Sequence, residues 1–138
     1  PGKRPAHTLN AFTAVHPDGS LYLVGGTPGA NIQVQSNLQL LINVIDLKMN
    51  VQEATEAPRW QHLNKPGQSS EEEKGAGVLE IENRVPEEVF EQLRAKGHEV
   101  KALSAWGHGS SVQLMEVLAN GTFAFGSDPR CEGHASGI

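Results

Sequence analysis

The chain has 138 residues, of which 38% are hydrophobic and 20% charged, and its formal net charge at pH 7 is −5. This length suffices for one domain with a core, and the acidic balance without a long basic run argues against nucleic acid as a main partner. No apolar run approaches the roughly 20 residues of a membrane-spanning helix, so no membrane partner is expected. The single cysteine excludes an internal disulfide. The first residues are not a signal peptide, and a start at Pro1 indicates that the chain begins inside a longer gene product or was processed.

The first predicted unit is a β-hairpin. Residues 11–15 alternate weakly between apolar and polar, and residues 20–24 form a short apolar run. Between them, His16–Ser20 (HPDGS) is a strong turn signal. The two segments are therefore predicted to be strands that pair antiparallel.

The hairpin delivers the chain to a glycine-rich stretch, Gly25–Asn31 (GGTPGAN). Its glycines can adopt backbone angles that other residues avoid, and Asn31 stands where a helix N-cap is expected. A strand, a tight turn and a helix start aim unpaired N–H groups at one point, where the helix dipole favours negative charge. Such a point can hold a phosphate, a carboxylate or the oxyanion of an acyl-transfer intermediate. The alternative is that the glycines only form a corner between strand and helix.

The longest apolar helical pattern follows, and a helix is predicted over residues 32–48. Its predicted buried face comprises Leu38, Leu41, Ile42, Ile45 and Met49, with Leu40, Val44 and Leu47 widening the apolar arc. The opposing polar stripe comprises Ser36, Gln39, Asn43, Asp46 and Asn50. The pattern is typical of a helix that packs a broad apolar face against a sheet.

Shorter elements fill the rest of the chain. A capping box at Asn50 and Glu53 predicts a helix over 51–57. Trp60 is expected to cover a core edge. The composition of Leu63–Gly77 predicts a mobile surface loop. A helix is predicted over 86–96, before Gly97. Further strands are predicted over 78–82, 99–104, 111–118 and 122–125, the last two joined by a hairpin turn at Asn120-Gly121. We expect an α+β fold with largely antiparallel strands.

Several kinds of site lack their residues. The six histidines are scattered singly and there is one cysteine, so no metal site is expected. No lysine follows the glycines as in a phosphate-binding loop, the glycines are wrongly spaced for a dinucleotide fingerprint, and no G-x-S-x-G elbow is present. No cofactor is therefore expected. The corner offers oxyanion donors, but no nucleophile is evident.

Six short segments carry a resemblance to a known family. They are PGKRP at 1–5, GTPG at 26–29, NVID at 43–46 with Met49, QEA and APR within 52–59, and SDPR at 127–130. In this order, across nearly the whole chain, the sequence resembles the γ-glutamyltranspeptidase family. Singly the segments are weak, and together they are quite specific.

The resemblance implies that residues 1–138 are a single segment, the C-terminal portion of the small subunit of an N-terminal-nucleophile hydrolase with an αββα sandwich fold. Such enzymes cut themselves to expose an N-terminal threonine, which attacks an amide to form an acyl-enzyme. The acyl group then passes to water, an amino acid or a peptide. No counterpart of that threonine lies in this chain, so the chain alone is expected to be inactive and to need the rest of its parent protein.

The resemblance also implies two pairs of site residues. The family's oxyanion-hole glycines match Gly29 and Ala30, and the alanine is tolerable there if its φ is ordinary. The two serines that hold the α-carboxylate of a γ-glutamyl group match His7 and Thr8, of which only Thr8 keeps a hydroxyl. This predicts a preference for another acyl group. The other function left open is an independent small α/β binding module that uses Gly25–Asn31 to hold an anionic ligand or a partner.

Overall fold

A computed structural model describes residues 2–4, 9–64 and 77–136, and within them the chain forms seven strands and three α-helices. The strands are β1 (Ala11–Val15), β2 (Leu21–Gly26), β3 (Trp60–Asn64), β4 (Gly77–Glu82), β5 (Glu99–Leu103), β6 (Gln113–Val117) and β7 (Phe123–Ser127). The helices are α1 (Gln33–Ile45), α2 (Val51–Glu56) and α3 (Glu87–Ala95). None of the described helices has the length and apolar character needed to cross a bilayer.

The larger sheet contains both predicted hairpins. Its strand order is β1-β2-β6-β7, and all three neighbouring pairs run antiparallel. At the first turn, the His16 N–H donates to the Ser20 carbonyl oxygen over 2.8 Å. At the second, Gly121 adopts a φ of 82°, which a glycine tolerates without strain. Local turn chemistry therefore sets two of the three pairings in this sheet, β1 with β2 and β6 with β7.

The smaller sheet has the order β3-β4-β5. Strands β3 and β4 pair antiparallel, whereas β4 and β5 are parallel and are connected through α3. The sequence analysis missed β3. Its strand signal is weak because the segment is short and carries polar residues, and its outer edge is paired by side chains from α1. The predicted loop at 63–77 is wrong at its ends, which belong to β3 and β4, and residues 65–76 lie outside the described part of the chain.

The core lies between the larger sheet and the first two helices. Its fully buried residues are Leu23, Leu40, Val44, Val51, Ala54, Val112 and Leu114. Strand β7 comes so close to α2 that any side chain at Gly126 would collide with the Val51 carbonyl oxygen. This two-layer arrangement holds α1 across the end of β2, where the glycine-rich corner lies.

The predicted buried face of α1 is correct only in part, since Leu40 and Val44 belong to the core but other members of the predicted face are exposed. Leu38 is 52% exposed and Ile42 40% exposed, while the predicted polar-stripe residues Ser36 and Gln39 are buried. These polar side chains enter the interior because each finds a hydrogen-bond partner there. The apolar side chains on the opposite face remain open to solvent in this chain.

Two of the predicted helix ends follow local chemistry. The predicted capping box at Asn50 is present, since the Asn50 side chain accepts the Glu53 N–H and Glu53 accepts the Asn50 N–H. Gly97 follows α3 with a φ of 91°. Helix α1, however, ends at Ile45 rather than at residue 48, and Lys48 adopts a φ of 58°. A lysine in this conformation gives no sequence signal for a helix end, because glycine is the usual residue there.

Candidate functional site

The candidate site is the corner between β2 and α1. Strand β2 continues through Gly25 and Gly26, so these two glycines extend the strand rather than form the turn. The reversal comes at Gly29, with a φ of 133°, and at Ala30, with a φ of 47°. A 3₁₀ turn over Ala30–Ile32 then runs directly into α1.

The corner presents backbone donors at the start of a helical run. The Ile32 N–H donates to the Gly29 carbonyl oxygen over 3.1 Å. The N–H groups of Gly29, Ala30 and Asn31 come before this bond. At the start of a helix, such N–H groups have no carbonyl partner within the helix itself. The expected N-cap at Asn31 is wrong, because Gly29 begins the 3₁₀ turn and Ile32 precedes α1, both without a side-chain cap. The donors nevertheless lie at the positive end of the helix dipole.

The φ of Ala30 is not ordinary, contrary to the condition that the sequence analysis set for this position. At 47° it lies in the left-handed region, which costs an L-residue roughly 1–2 kcal/mol. The strain persists because the corner is fixed on both sides, by β2 and by α1. Ala30 therefore keeps its N–H in place at a cost in stability.

Replacing Ala30 with glycine is expected to raise the free energy of unfolding by about 0.5–1 kcal/mol, since glycine removes the strain but gains entropy when unfolded. Urea unfolding followed by tryptophan fluorescence measures the change. The control is Ala95→Gly at the exposed end of α3, where the same chemical change is expected to destabilise by about 0.5–1 kcal/mol. Equal signs for the two variants would contradict the strain at Ala30.

A cleft of about 420 Å³ lies beside the corner. One wall is formed by Gly26, Thr27 and Pro28, and the opposite wall includes residues 131–134. Gly29 and Ala30 are not part of its lining. The cleft lies next to the last described residues of the chain.

A buried series of hydrogen bonds supports the corner from the interior of the protein. The Ser36 Oγ donates to the Ile32 carbonyl oxygen over 3.1 Å and lies 2.8 Å from the Ser110 Oγ. The Ser110 Oγ lies 2.8 Å from the His108 Nδ1. Ser110 also stands next to Gly29, since a Cβ at Gly29 would lie 3.5 Å from the Ser110 Cβ. These hydrogen bonds connect the first turn of the helical run to the loop before β6.

The contact between Ser110 and His108 is structural rather than catalytic. Burial, with the positive charge of Arg59, lowers the pKa of His108 to about 4, so the imidazole is neutral at pH 7. The Ser110 backbone N–H also donates to Nδ1 over 3.2 Å. Ser110 is 1% exposed and His108 4% exposed. A substrate therefore cannot reach the serine oxygen in this chain.

A cluster of buried charges lies beside this series of hydrogen bonds. Asp128 accepts from Arg59 over 2.6 Å and from Arg130 over 2.9 Å. Glu82 accepts hydrogen bonds from the Arg130 Nε and Nη2, over 2.7 and 2.6 Å, and also forms an ion pair with Arg84 over 2.8 Å. Burial alone would raise the pKa of Glu82, but the hydrogen bonds from Arg130 and from the Arg59 N–H hold that pKa below its ordinary value.

This charge cluster (Arg59, Glu82, Arg84, Asp128 and Arg130) joins the two sheets. Glu82 ends β4, whereas Asp128 and Arg130 follow β7. Arg59 and Arg130 each also donate to the Thr55 carbonyl oxygen of α2, over 2.7 and 3.0 Å. In the sequence, Arg59, Asp128 and Arg130 were recognised only as family markers, and their contact was not predicted because more than 60 residues separate Arg59 from the other two.

His7 and Thr8, the predicted substrate-binding pair, lie outside the described residues. Across residues 2–4, 9–64 and 77–136, no three His, Cys, Asp or Glu side chains are grouped so that they could hold a metal ion. The described site therefore consists of the Gly29–Ala30 corner, its hydrogen-bonded support and the adjacent cleft.

Comparison with known proteins decides the family. The sequence profile of gamma-glutamyltranspeptidase matches residues 1–138. The chain belongs to this family. It is 35% identical over 130 residues to the glutathione hydrolase proenzyme of Escherichia coli, a match that covers 94% of the chain and 20% of that protein. It is 40% identical over 101 residues to the acylase ACY 1 proenzyme of Pseudomonas sp. strain V22, covering 72% of the chain and 16% of the relative.

The solved structures agree with this assignment. The gamma-glutamyltranspeptidase of Pseudomonas nitroreducens complexed with L-DON superimposes with a TM-score of 0.79 at 26% identity, covering 100% of the chain and 66% of that structure's chain. The γ-glutamyltranspeptidase-family chain therefore has the α+β fold of a C-terminal portion of an N-terminal-nucleophile hydrolase sandwich, as predicted. It spans about a fifth of the length of the glutathione hydrolases it matches. An independent binding module is not favoured.

Proposed function

We propose that this γ-glutamyltranspeptidase-family chain is the C-terminal part, as one segment over residues 1–138, of the small subunit of an amidohydrolase or acyltransferase. In it, the N–H groups of Gly29 and Ala30 donate to the oxyanion of the tetrahedral intermediate. The observation that carries this proposal is the corner itself: consecutive positive φ angles at the start of a helical run. Backbone donors held in this way need no reorganisation when negative charge develops.

The rest of the parent protein supplies what this chain lacks. An N-terminal threonine upstream attacks the carbonyl carbon of the substrate amide, the C–N bond breaks, and the amine leaves with the proton of the threonine hydroxyl as the acyl-enzyme forms. The relatives are named proenzymes, which is consistent with a threonine exposed by cleavage. The exposed apolar stripe of α1, represented by Val34 and Leu38, is where we place a contact with the remainder of the parent protein.

The acyl group is proposed to differ from γ-glutamyl. His7 and Thr8 match the two serines by which the family holds the substrate α-carboxylate, and an imidazole is larger than a hydroxyl. A site built for hydrogen bonds rejects an ill-matched ligand strongly. Relatives named glutathione hydrolase and acylase are both similar to this chain, so both substrate classes belong in the test.

The substitution His7→Ser in the full-length protein is expected to raise kcat/KM for γ-glutamyl-p-nitroanilide, relative to non-glutamyl p-nitroanilides, by about 10–100-fold. The reason is that a restored hydrogen bond to a charged carboxylate contributes about 1.5–3 kcal/mol. Steady-state kinetics with both substrate classes measure the ratio.

Two controls accompany this measurement. Thr8→Ser keeps the hydroxyl and is expected to leave the ratio unchanged, and the 138-residue chain alone is expected to show no turnover because it has no nucleophile. A wild-type protein that prefers the γ-glutamyl substrate, with a ratio that His7→Ser does not change, would refute the specificity proposal. No amide turnover by the full-length wild type would refute the proposed function.

A further inference from the structure

The outer edge of β3 is paired by side chains instead of by another strand. Among the described strands, β3 pairs only with β4. On its other edge, the Trp60 N–H donates to the Gln39 Oε1 over 3.1 Å, and the Gln39 Nε2 donates to the Trp60 carbonyl oxygen over 2.9 Å. Two residues further, the His62 N–H and carbonyl oxygen make the same two bonds to Gln35, over 2.7 and 3.0 Å.

The geometry of these bonds fixes α1 along its own axis. Gln35 and Gln39 are four residues apart and lie on one face of the helix, while Trp60 and His62 are two residues apart and point their backbone groups toward one edge of the strand. Each primary amide supplies one donor and one acceptor to a single residue. Sliding α1 relative to β3 would break all four hydrogen bonds together.

The corner lies immediately before this clamped part of the helix. Gln35 is three residues beyond Ile32, which ends the 3₁₀ turn, so a displacement of the first turn of α1 displaces Gly29 and Ala30 as well. A misplacement of about 1 Å at a reacting centre can reduce the rate about 100-fold. The position of α1 therefore determines where Gly29 and Ala30 lie, as well as how the helix packs.

We propose that Gln35 and Gln39 are positioning residues for the oxyanion donors: by clamping α1 to the edge of β3 they hold the N–H groups of Gly29 and Ala30 where the oxyanion forms. This inference rests on the proposed function of the corner. Neither glutamine touches substrate in this arrangement, because both amides are engaged by the backbone of β3.

The chain contains a matched control for the same chemical device. Gln52 of α2 pairs with Ser127 of β7 in the same way: the Ser127 N–H donates to the Gln52 Oε1 over 3.0 Å, and the Gln52 Nε2 donates to the Ser127 carbonyl oxygen over 3.1 Å. This pair clamps a different helix, which does not lead into the corner. Loss of an amide clamp as such can thus be separated from loss of the clamp on α1.

The experiment compares Gln35→Met, Gln39→Met and Gln52→Met in the full-length protein, because methionine keeps the length of glutamine without its amide. With an amide substrate that the wild type turns over, we expect the first two variants to lower kcat by about 10–100-fold and to change KM less than threefold. Gln52→Met is expected to lower the melting temperature similarly while kcat stays within twofold of the wild type.

The outcomes separate the two proposals. Wild-type turnover with kcat values for Gln35→Met and Gln39→Met that match Gln52→Met would overturn the positioning role alone, whereas no wild-type turnover would overturn the proposed function and this inference with it. Gln39 is the more buried of the two glutamines, so if Gln39→Met fails to fold, Gln35→Met decides. An increase in KM with unchanged kcat would likewise contradict positioning of the oxyanion donors.

Discussion

Replacing Asp128 with alanine is expected to lower the free energy of unfolding by about 3–5 kcal/mol, because removing one member of a buried ion pair leaves an uncompensated buried charge. Asp128 is 1% exposed and accepts from both Arg59 and Arg130. It also accepts the Val112 N–H over 2.8 Å, so the substitution removes a backbone partner as well as two charged ones. The remaining carboxylate, Glu82, does not balance two buried guanidinium groups.

Urea unfolding of the chain, followed by tryptophan fluorescence, measures this loss. Trp106 is a suitable reporter because its ring centroid lies 3.6 Å from the Arg84 Cζ and 5.1 Å from the Arg130 Cζ. The matched control is Glu87→Ala, which removes the carboxylate of the exposed pair with Arg94 and is expected to cost less than about 1 kcal/mol. A loss for Asp128→Ala no larger than for Glu87→Ala would mean that the cluster does not stabilise the contact between the sheets.

Elements with strong local signals were predictable from the sequence. The turn at His16–Ser20, the capping box at Asn50 and the turn at Asn120-Gly121 each satisfy their own backbone groups within a few residues. Because these interactions do not depend on the rest of the molecule, residue type alone identifies them. Both hairpins of the larger sheet, and the start of α2, follow from these signals.

The orientation of α1 was not predictable, because apolar side chains lie on more than one of its faces. Hydrophobic periodicity assigns the interior to the more apolar face. In the structure, Ser36 and Gln39 face inward because Ser110 and the backbone of β3 provide their partners. Those partners lie more than 20 residues away in sequence. The same long-range pairing explains why β3 was missed, since its edge is paired by helix side chains rather than by a strand.

The candidate site was predictable in location but not in conformation. Glycine spacing and the resemblance both indicated Gly29 and Ala30, yet nothing in the sequence indicates that the reversal begins only at Gly29 or that Ala30 has a positive φ. An alanine in the left-handed region is held there by its surroundings. The buried support of the corner by Ser36, Ser110 and His108 also depends on contacts across the fold.

The glycine at position 29 is where the largest effect on catalysis is expected. Its φ of 133° is open to glycine but strained for any other residue, and a Cβ there would lie 2.8 Å from the Ile32 Cγ1. Gly29→Ala must therefore move the backbone that carries the first two donors of the corner. In the full-length protein, we expect kcat for an amide substrate to fall by about 100–1000-fold, the effect of losing one oxyanion donor, with little change in KM.

Gly121→Ala provides the matched control for this substitution. Gly121 also has a positive φ, 82°, but a Cβ there would meet nothing within 4 Å, and the residue lies in the β6–β7 turn. This variant is expected to lose about 1–2 kcal/mol of stability through backbone strain while its kcat stays within twofold of the wild type. If Gly29→Ala kept kcat within threefold, or reduced it no more than Gly121→Ala, the Gly29–Ala30 corner would not be the oxyanion site, since displaced donors cannot stabilise the tetrahedral intermediate as well as fixed ones.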